Sequence, residues 1–433
     1  YFIFPPLLVT EFNKLWIEYF EGILWQQRNV DNAKSARLLE RLLLRSNIEQ
    51  HIELKARTSA YLSVVLWYIA EFSAALRYAN QGLNLSSKLD LPKSRNRSLE
   101  VLGLTYDRLG QFQDSIDSQI ELLRLTRLSN DQMGEAWTLN NLGYFSWHAG
   151  KWTSAEDYLL KCQSLMLELN SSYNIVYPLG HLGLLYISVG REHDGESRLE
   201  ESLIICKEEK NLEMESKILQ NFADLRITQG RYEDALSFLE RAIKVNNSLV
   251  HPFFDSDCYR RLGNCFFRMN RFEDAASAYL KSFDLAERMG AEYLKQRALC
   301  GLHILRLNGW AGTIPEDVQS LTSQCEKMAY FHILSDFYFE AGCSTGGVEK
   351  KKTLFVKSLI TGMLYNRYWL YTQLNKIIEL LTEKSIEYPV DVIRNLFESM
   401  KCDWQIETYR EIPVLQIEKN ARLNEAGLIQ LPS

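Results

Sequence analysis

Side chains suited to holding another molecule recur in this sequence with a step of 40 residues: Arg97, Trp137, Tyr177, Lys217, Asp257 and Arg297 form one such column. Close to it in phase stand Asn140, Asn141 and Tyr144, then Gln220 and Asn221, then Arg260, Arg261 and Asn264, with Arg268 just beyond. Each amide offers both a donor and an acceptor and can pair with the backbone of an extended peptide. Arginine grips a carboxylate or phosphate through two parallel bonds. Catalytic chemistry finds no comparable grouping. The seven histidines include no i, i+4 pair and no HExxH, and the eight cysteines include no CxxC, so no metal is expected. The stretch GCSTGG, Gly342 to Gly347, spaces glycines as a phosphate-binding loop does, but Val348 and Glu349 stand where Lys and Ser or Thr are needed. These residues point to binding without a cofactor, not to an enzyme.

Helices must position such columns. The frame GRYEDALSFLERAIKV from Gly230 is restated at Gly190, Gly150 and Gly110 and forward at Asn270, each 40 residues apart. Glycine and asparagine tolerate the left-handed backbone of a helix end. A small-residue column, Gly103, Gly143, Gly183, Ala223 and Gly263, keeps the same step, and Ala155, Gly195, Ala235 and Ala275 follow the turn. Each unit therefore reads as two amphipathic helices that press together at the small residues. One hairpin cannot bury its apolar face alone, whereas a stack of them makes one continuous core.

Composition agrees with a long array. The chain has 433 residues, 46% of them hydrophobic, and a net charge of −6, which gives no global electrostatic case for nucleic acid or an anionic membrane. The cysteines fall mostly inside helical segments, which suits reduced, buried thiols in a cytoplasmic protein. The opening YFIFPPLLV is too short to span a bilayer and lacks the basic flank of a signal peptide. With no initiator Met, the chain is expected to be cut from something longer.

The Leu-Gly pair in the first helix, the Gly-x-aromatic turn and the small-then-apolar second helix resemble the tetratricopeptide repeat, over about residues 50–300. Its usual period is about 34 residues. Forty-residue units resemble the long-repeat branch, as in the sensor domain of MalT-type signal-transducing NTPases (the STAND class), Rap-type regulators and Pins-type adaptors. The resemblance implies an all-α solenoid, a right-handed superhelix of antiparallel helix pairs whose first helices line the concave side. It would put two patches there. Trp137, Asn140, Asn141 and Tyr144, with Trp147 and His148, form an aromatic and amide patch. Lys217, Gln220, Asn221, Arg260, Arg261, Asn264 and Arg268 form a basic and amide patch. The repeat's carboxylate-clamp variants use Lys, Asn and Arg on these columns; Lys217, Asn221 and Arg261 fall at comparable places without the full pattern. The plain alternative is a solvated groove wall. AGCSTGG also resembles the cysteine motif of caspase-like proteases, but no βαβ alternation surrounds it, so a loop between helices is expected.

The expected organisation is a degenerate hairpin over 1–48, the regular array over 49–310, irregular helix pairs over 311–402, and a cap or linker over 403–433. The expected function is a sensor or adaptor module binding a protein or peptide segment, an acidic one included, or a small-molecule inducer. The alternatives are a scaffold using the convex face and ends, and a sensor linked to a protease or effector.

Overall fold

The computed structural model describes residues 11–365, apart from 28–30, 46–47, 70, 110, 249–251, 290–291, 329 and 347. It also describes the strand residues 404–409, 412–417, 422–423 and 429–430. Eighteen α-helices stand among the described residues. After α1 (Glu11–Gln27) and α2 (Asn32–Leu43), thirteen helices begin every 20 residues from Ile52 to Glu292. They are α3 (Ile52–Tyr68), α4 (Phe72–Lys88), α5 (Pro92–Arg108), α6 (Phe112–Leu128), α7 (Gln132–His148), α8 (Trp152–Glu168) and α9 (Ser172–Ser188). Then come α10 (Glu192–Glu208), α11 (Leu212–Thr228), α12 (Tyr232–Asn246), α13 (Pro252–Arg268), α14 (Phe272–Met289) and α15 (Glu292–Leu307). The array ends in α16 (Val318–Lys327), α17 (Phe331–Ser344) and α18 (Val348–Tyr365).

The 20-residue beat comes from one loop used twice per unit. Gly150, Gly190, Gly230 and Asn270 have positive φ, as the turn column requires; Ala70 and Gly110 lie outside the described residues. A second left-handed column sits half a unit away, at Asp90, Asn130, Asn170 and Lys210. In both, the residue after the left-handed one donates back five positions: Lys151 N to Ser146 O at 2.8 Å and Asp131 N to Thr126 O at 2.9 Å. This closes the helix end on its own carbonyls. The left-handed region costs a residue with a Cβ roughly 1–2 kcal/mol. Gly230→Val should therefore lose about that much, and Lys210→Gly should gain part of it. Equal melting temperatures for both variants and the parent would contradict this.

The small columns are the helix contacts. A Cβ on Gly143 or Gly183 would stand 2.5 Å from Leu159 or 2.7 Å from Leu199 in the partner helix. Ala155, Ala235 and Ala275 are fully buried. Ala235→Leu should overpack the α11–α12 hairpin by roughly 1–3 kcal/mol, read as a lower midpoint in urea.

Several details differ from the sequence expectation. Among the irregular pairs, helix α16 starts at Val318, where the Asp317 carboxylate caps the Ser320 N–H at 2.7 Å. Gly342 is not a loop residue: it lies inside α17, where a Cβ would meet the Phe355 ring at 2.5 Å. It is glycine because α18 packs against it. The tail is not merely aperiodic: Trp404–Tyr409 pairs antiparallel with Ile412–Ile417, and Arg422–Leu423 with Ile429–Gln430. The short run IPVLQI, rich in Ile and Val, is the signal that was readable there. The part of the expected irregular helix pairs that falls after residue 365, with Cys402, lies outside the described residues. Six of the seven described cysteines are buried and all seven are free thiols. Among the described residues no helix is long and apolar enough to cross a membrane, and no group of three His, Cys, Asp or Glu could hold a metal.

The stack also meets itself. Phe72, at the start of α4, is buried against α15 and α17, with its ring 5.9 Å from Tyr293 and 6.3 Å from Tyr330. Trp67 and Leu109 pack on the same cluster. More than two hundred residues of sequence separate the two sides.

Candidate functional site

The odd-numbered helices from α3 to α15, joined by Gln26 and Gln27 of α1, Asn32 of α2, Phe72 of α4 and Leu122 and Thr126 of α6, wall a groove made of two adjoining cavities, about 720 and 830 Å3 in volume. Tyr68, Arg108, Tyr144, Glu213, Lys217 and Asn221 line both, so the two are one continuous space. Asp257, Arg261, Tyr293 and Arg297 belong to the first cavity alone. Trp137, Asn140, Tyr177 and His181 belong to the second alone.

Like columns of successive units touch, and this ladder is the wall. The Trp137 and Tyr177 rings meet edge-on at 4.7 Å. Asn140 Oδ1 and His181 Nδ1 are 3.0 Å apart, and Tyr144 lies between His148 at 4.1 Å and His181 at 4.8 Å. Asn141 donates weakly to Gln119 Oε1 at 3.4 Å. Toward α15, Arg261 bonds Asp224 at 3.0 Å and also Asp257, and Arg297 reaches Asp257 at 3.3 Å.

The two expected patches therefore face one groove, but not with every residue. Positions i, i+4 and i+7 of a helix share a face, so Trp137, Asn141 and Tyr144 of α7 stay half-exposed along the wall, as do Lys217 and Asn221 of α11 and, one unit after Asn221, Arg261 of α13. The intervening column turns toward the next unit: Asn140, Gln220 and Arg260 keep 3%, 4% and 7% of their surface. Arg260 bonds Asp257 at 2.9 Å and lies outside the lining. So does Asn264, which accepts from the Tyr279 hydroxyl at 2.7 Å. Arg268 is exposed and donates to Glu340 of α17 at 2.7 Å. Trp147 donates to Ser188 at 2.8 Å, and His148 pairs with Asp107 at 2.6 Å. Trp67, Tyr68, Glu213 and Tyr293 joined the site unannounced. Glu213 and Tyr293 occupy the column one helical turn before Lys217 and Arg297 and were findable by that offset.

Burial shapes the site's protonation. Asp257 would be raised by burial alone, but the guanidinium groups of Arg260, Arg261 and Arg297 hold it well below the usual carboxylate range. Burial pushes Tyr144 up to about 12. Burial, then the charges of Lys217 and His148, pushes His181 down to about 3, so its ring is neutral at physiological pH. In the unfolded chain a histidine titrates near about 6.5. The stabilisation from a neutral His181 is thus complete above that value and is lost as pH falls toward 3, by at most about 1.4 kcal/mol per pH unit. His181→Asn should flatten the acid limb of a stability profile; an unchanged slope would place the proton uptake on unfolding at other groups.

The profile of the tetratricopeptide repeat matches residues 136–162 and 174–248, in register with the α7–α8 and α9–α12 hairpins. Over those residues the chain carries tetratricopeptide repeats. Among curated proteins the chain is similar to the 43 kDa receptor-associated protein of the synapse of Tetronarce californica. The two are 20% identical over 248 residues, 56% of this chain and 60% of that protein. The chain thus spans less than two thirds of that relative. Among solved structures it is similar to a Rap protein complexed with competence and sporulation factor, at a TM-score of 0.54 and 12% identity, covering 84% of this chain and 99% of that one. It is also similar to aspartyl phosphate phosphatase F from Bacillus subtilis, at 0.52 and 13%, covering 80% and 93%. At such identities the likeness is one of fold.

Proposed function

We propose that this tetratricopeptide solenoid is a peptide-binding module, the sensor or adaptor part of a larger regulatory protein, and that it takes a short extended segment into its central groove. One observation carries the reading: Trp137, Asn141 and Tyr144 face the same space as Lys217, Asn221 and Arg261, two to three units away. Each cavity falls within the roughly 300–1,000 Å3 of small-ligand sites, so a segment fits and a folded domain does not. The half-exposed amides of Asn141 and Asn221 can pair with a peptide backbone, which has no charge to offer. The solenoid of the same fold solved with the competence and sporulation factor shows that such a scaffold takes a ligand, and supports the reading by analogy of fold alone. A scaffold role has one observation in its favour: Ile120 and Leu160, one unit apart, are 47% and 41% exposed on second helices.

The test is selection of a displayed library of random ten-residue peptides on the whole chain, repeated on Asn221→Trp, which fills the junction of the two cavities. Peptides enriched on the parent and lost on the variant are expected. Peptides that bind both alike, or no enrichment, would move the activity to the convex face.

A further inference from the structure

We infer that the contact between the α3–α4 turn and the α15–α17 side is a clasp: it opens as a unit while the helices on both sides stay folded, and the groove widens as it opens. This holds whatever occupies the groove.

The contact is thin. Among the described residues, Phe72 is the one side chain from the α4 side fully buried in the shared cluster, with Trp67 and Leu109 partly buried beside it. Inside the stack a hairpin instead closes along 17-residue helices, as α7 and α8 do where Gly143 meets Leu159. The contact is also imperfect. Tyr330, which precedes α17, is fully buried, and its hydroxyl finds no hydrogen-bond partner. The Trp67 indole N–H is likewise buried without one. Tyr293 differs: its hydroxyl lies 2.9 Å from His332 Nε2, which fixes that ring to the α17 side. A buried polar group left unpaired has lost its water and gained nothing in return. Parting the rings returns the Tyr330 and Trp67 groups to water, so both favour the open state. Charge acts in the same direction. The carboxyl of Glu71, next to Phe72, is raised by burial and then by the charges of Glu292, the first residue of α15, and of Glu40. Like charges on the two sides repel.

A region with so few buried apolar contacts opens below the free energy of global unfolding. The groove must follow, because the clasp is part of its wall: Phe72 and Tyr293 line the first cavity, and Trp67 lines both. When Phe72 leaves Tyr293 and Tyr330, the α3–α4 side of the first cavity moves away from α15. No helix has to unfold, since the change is a small rotation shared among the units between α4 and α15.

Hydroxyl-radical footprinting of the whole chain in rising urea, read residue by residue by mass spectrometry, tests this beside circular dichroism. Phe72, Tyr293 and Tyr330 should become oxidised with a midpoint at lower urea than Phe145, which is fully buried in α7, and before helical ellipticity falls. Between the two midpoints, small-angle scattering should show a larger radius of gyration at unchanged ellipticity. Tyr330→Phe removes the unpaired hydroxyl and keeps the ring. It should shift the clasp toward the closed state by at least about fivefold, the worth of one buried unsatisfied group, and raise the clasp midpoint while that of Phe145 stays. Phe72→Leu should lower the clasp midpoint alone. Coincident midpoints for all four residues in the parent would overturn the clasp. So would a lower clasp midpoint in Tyr330→Phe, because the hydroxyl would then be holding the contact together. An unchanged radius between the midpoints would mean that the rings become exposed without the wall moving, and would overturn the link to the groove.

Discussion

Phe72→Ala is expected to cost about 3–5 kcal/mol, the usual range for truncating a buried phenylalanine, and to part the α3–α4 turn from α15 and α17. The ring is 3% exposed and closes an aromatic cluster with Tyr293 and Tyr330, themselves 5.2 Å apart. No neighbouring repeat can refill the space, because each unit of a solenoid packs mainly on the next. The loss should be local. Small-angle scattering should show a larger radius of gyration, while helical ellipticity stays close to the parent value at low temperature. The groove would widen at Phe72, which lines its first cavity. An unchanged radius would mean that the stack holds its curvature without this contact.

Asp257→Ala should be the most damaging substitution in the groove, at about 3–5 kcal/mol, the cost of leaving a buried ion pair half-made. Three guanidinium groups would lose their common carboxylate, and one of them, Arg260, is 7% exposed and cannot turn to water. Urea unfolding followed by circular dichroism reads the loss, and Asp257→Asn separates charge from shape. The pH dependence follows from the direction of the shift. A depressed carboxylate contributes stability that is complete above its unfolded value near about 3.9 and is lost as pH falls below it. The parent should therefore lose an increment on acidification that Asp257→Asn has already lost. Parallel acid limbs for the two would remove Asp257 from the ion-pair network.

Local physics was legible in the sequence because it repeats. Turn residues with positive φ, small residues at helix crossings and apolar columns are settled within one hairpin and its neighbour, so a step of 40 carried them from Gly150 to Asn270. The finer beat of 20 was equally present in Asp90, Asn130, Asn170 and Lys210: Asp and Asn tolerate the left-handed region, and only Lys210 bears its positive φ against its own preference. The inward columns could be listed from sequence. Which of their members face solvent could not, because a rotation of one residue turns Arg260 behind the wall and leaves Arg261 on it. Closure lay wholly with the tertiary structure. Whether Phe72 meets Tyr293 and Tyr330 depends on a small rotation per unit summed over the array between α4 and α15, and no single unit encodes that sum. The same sum brings Tyr68 opposite Lys217 and makes one groove of two patches.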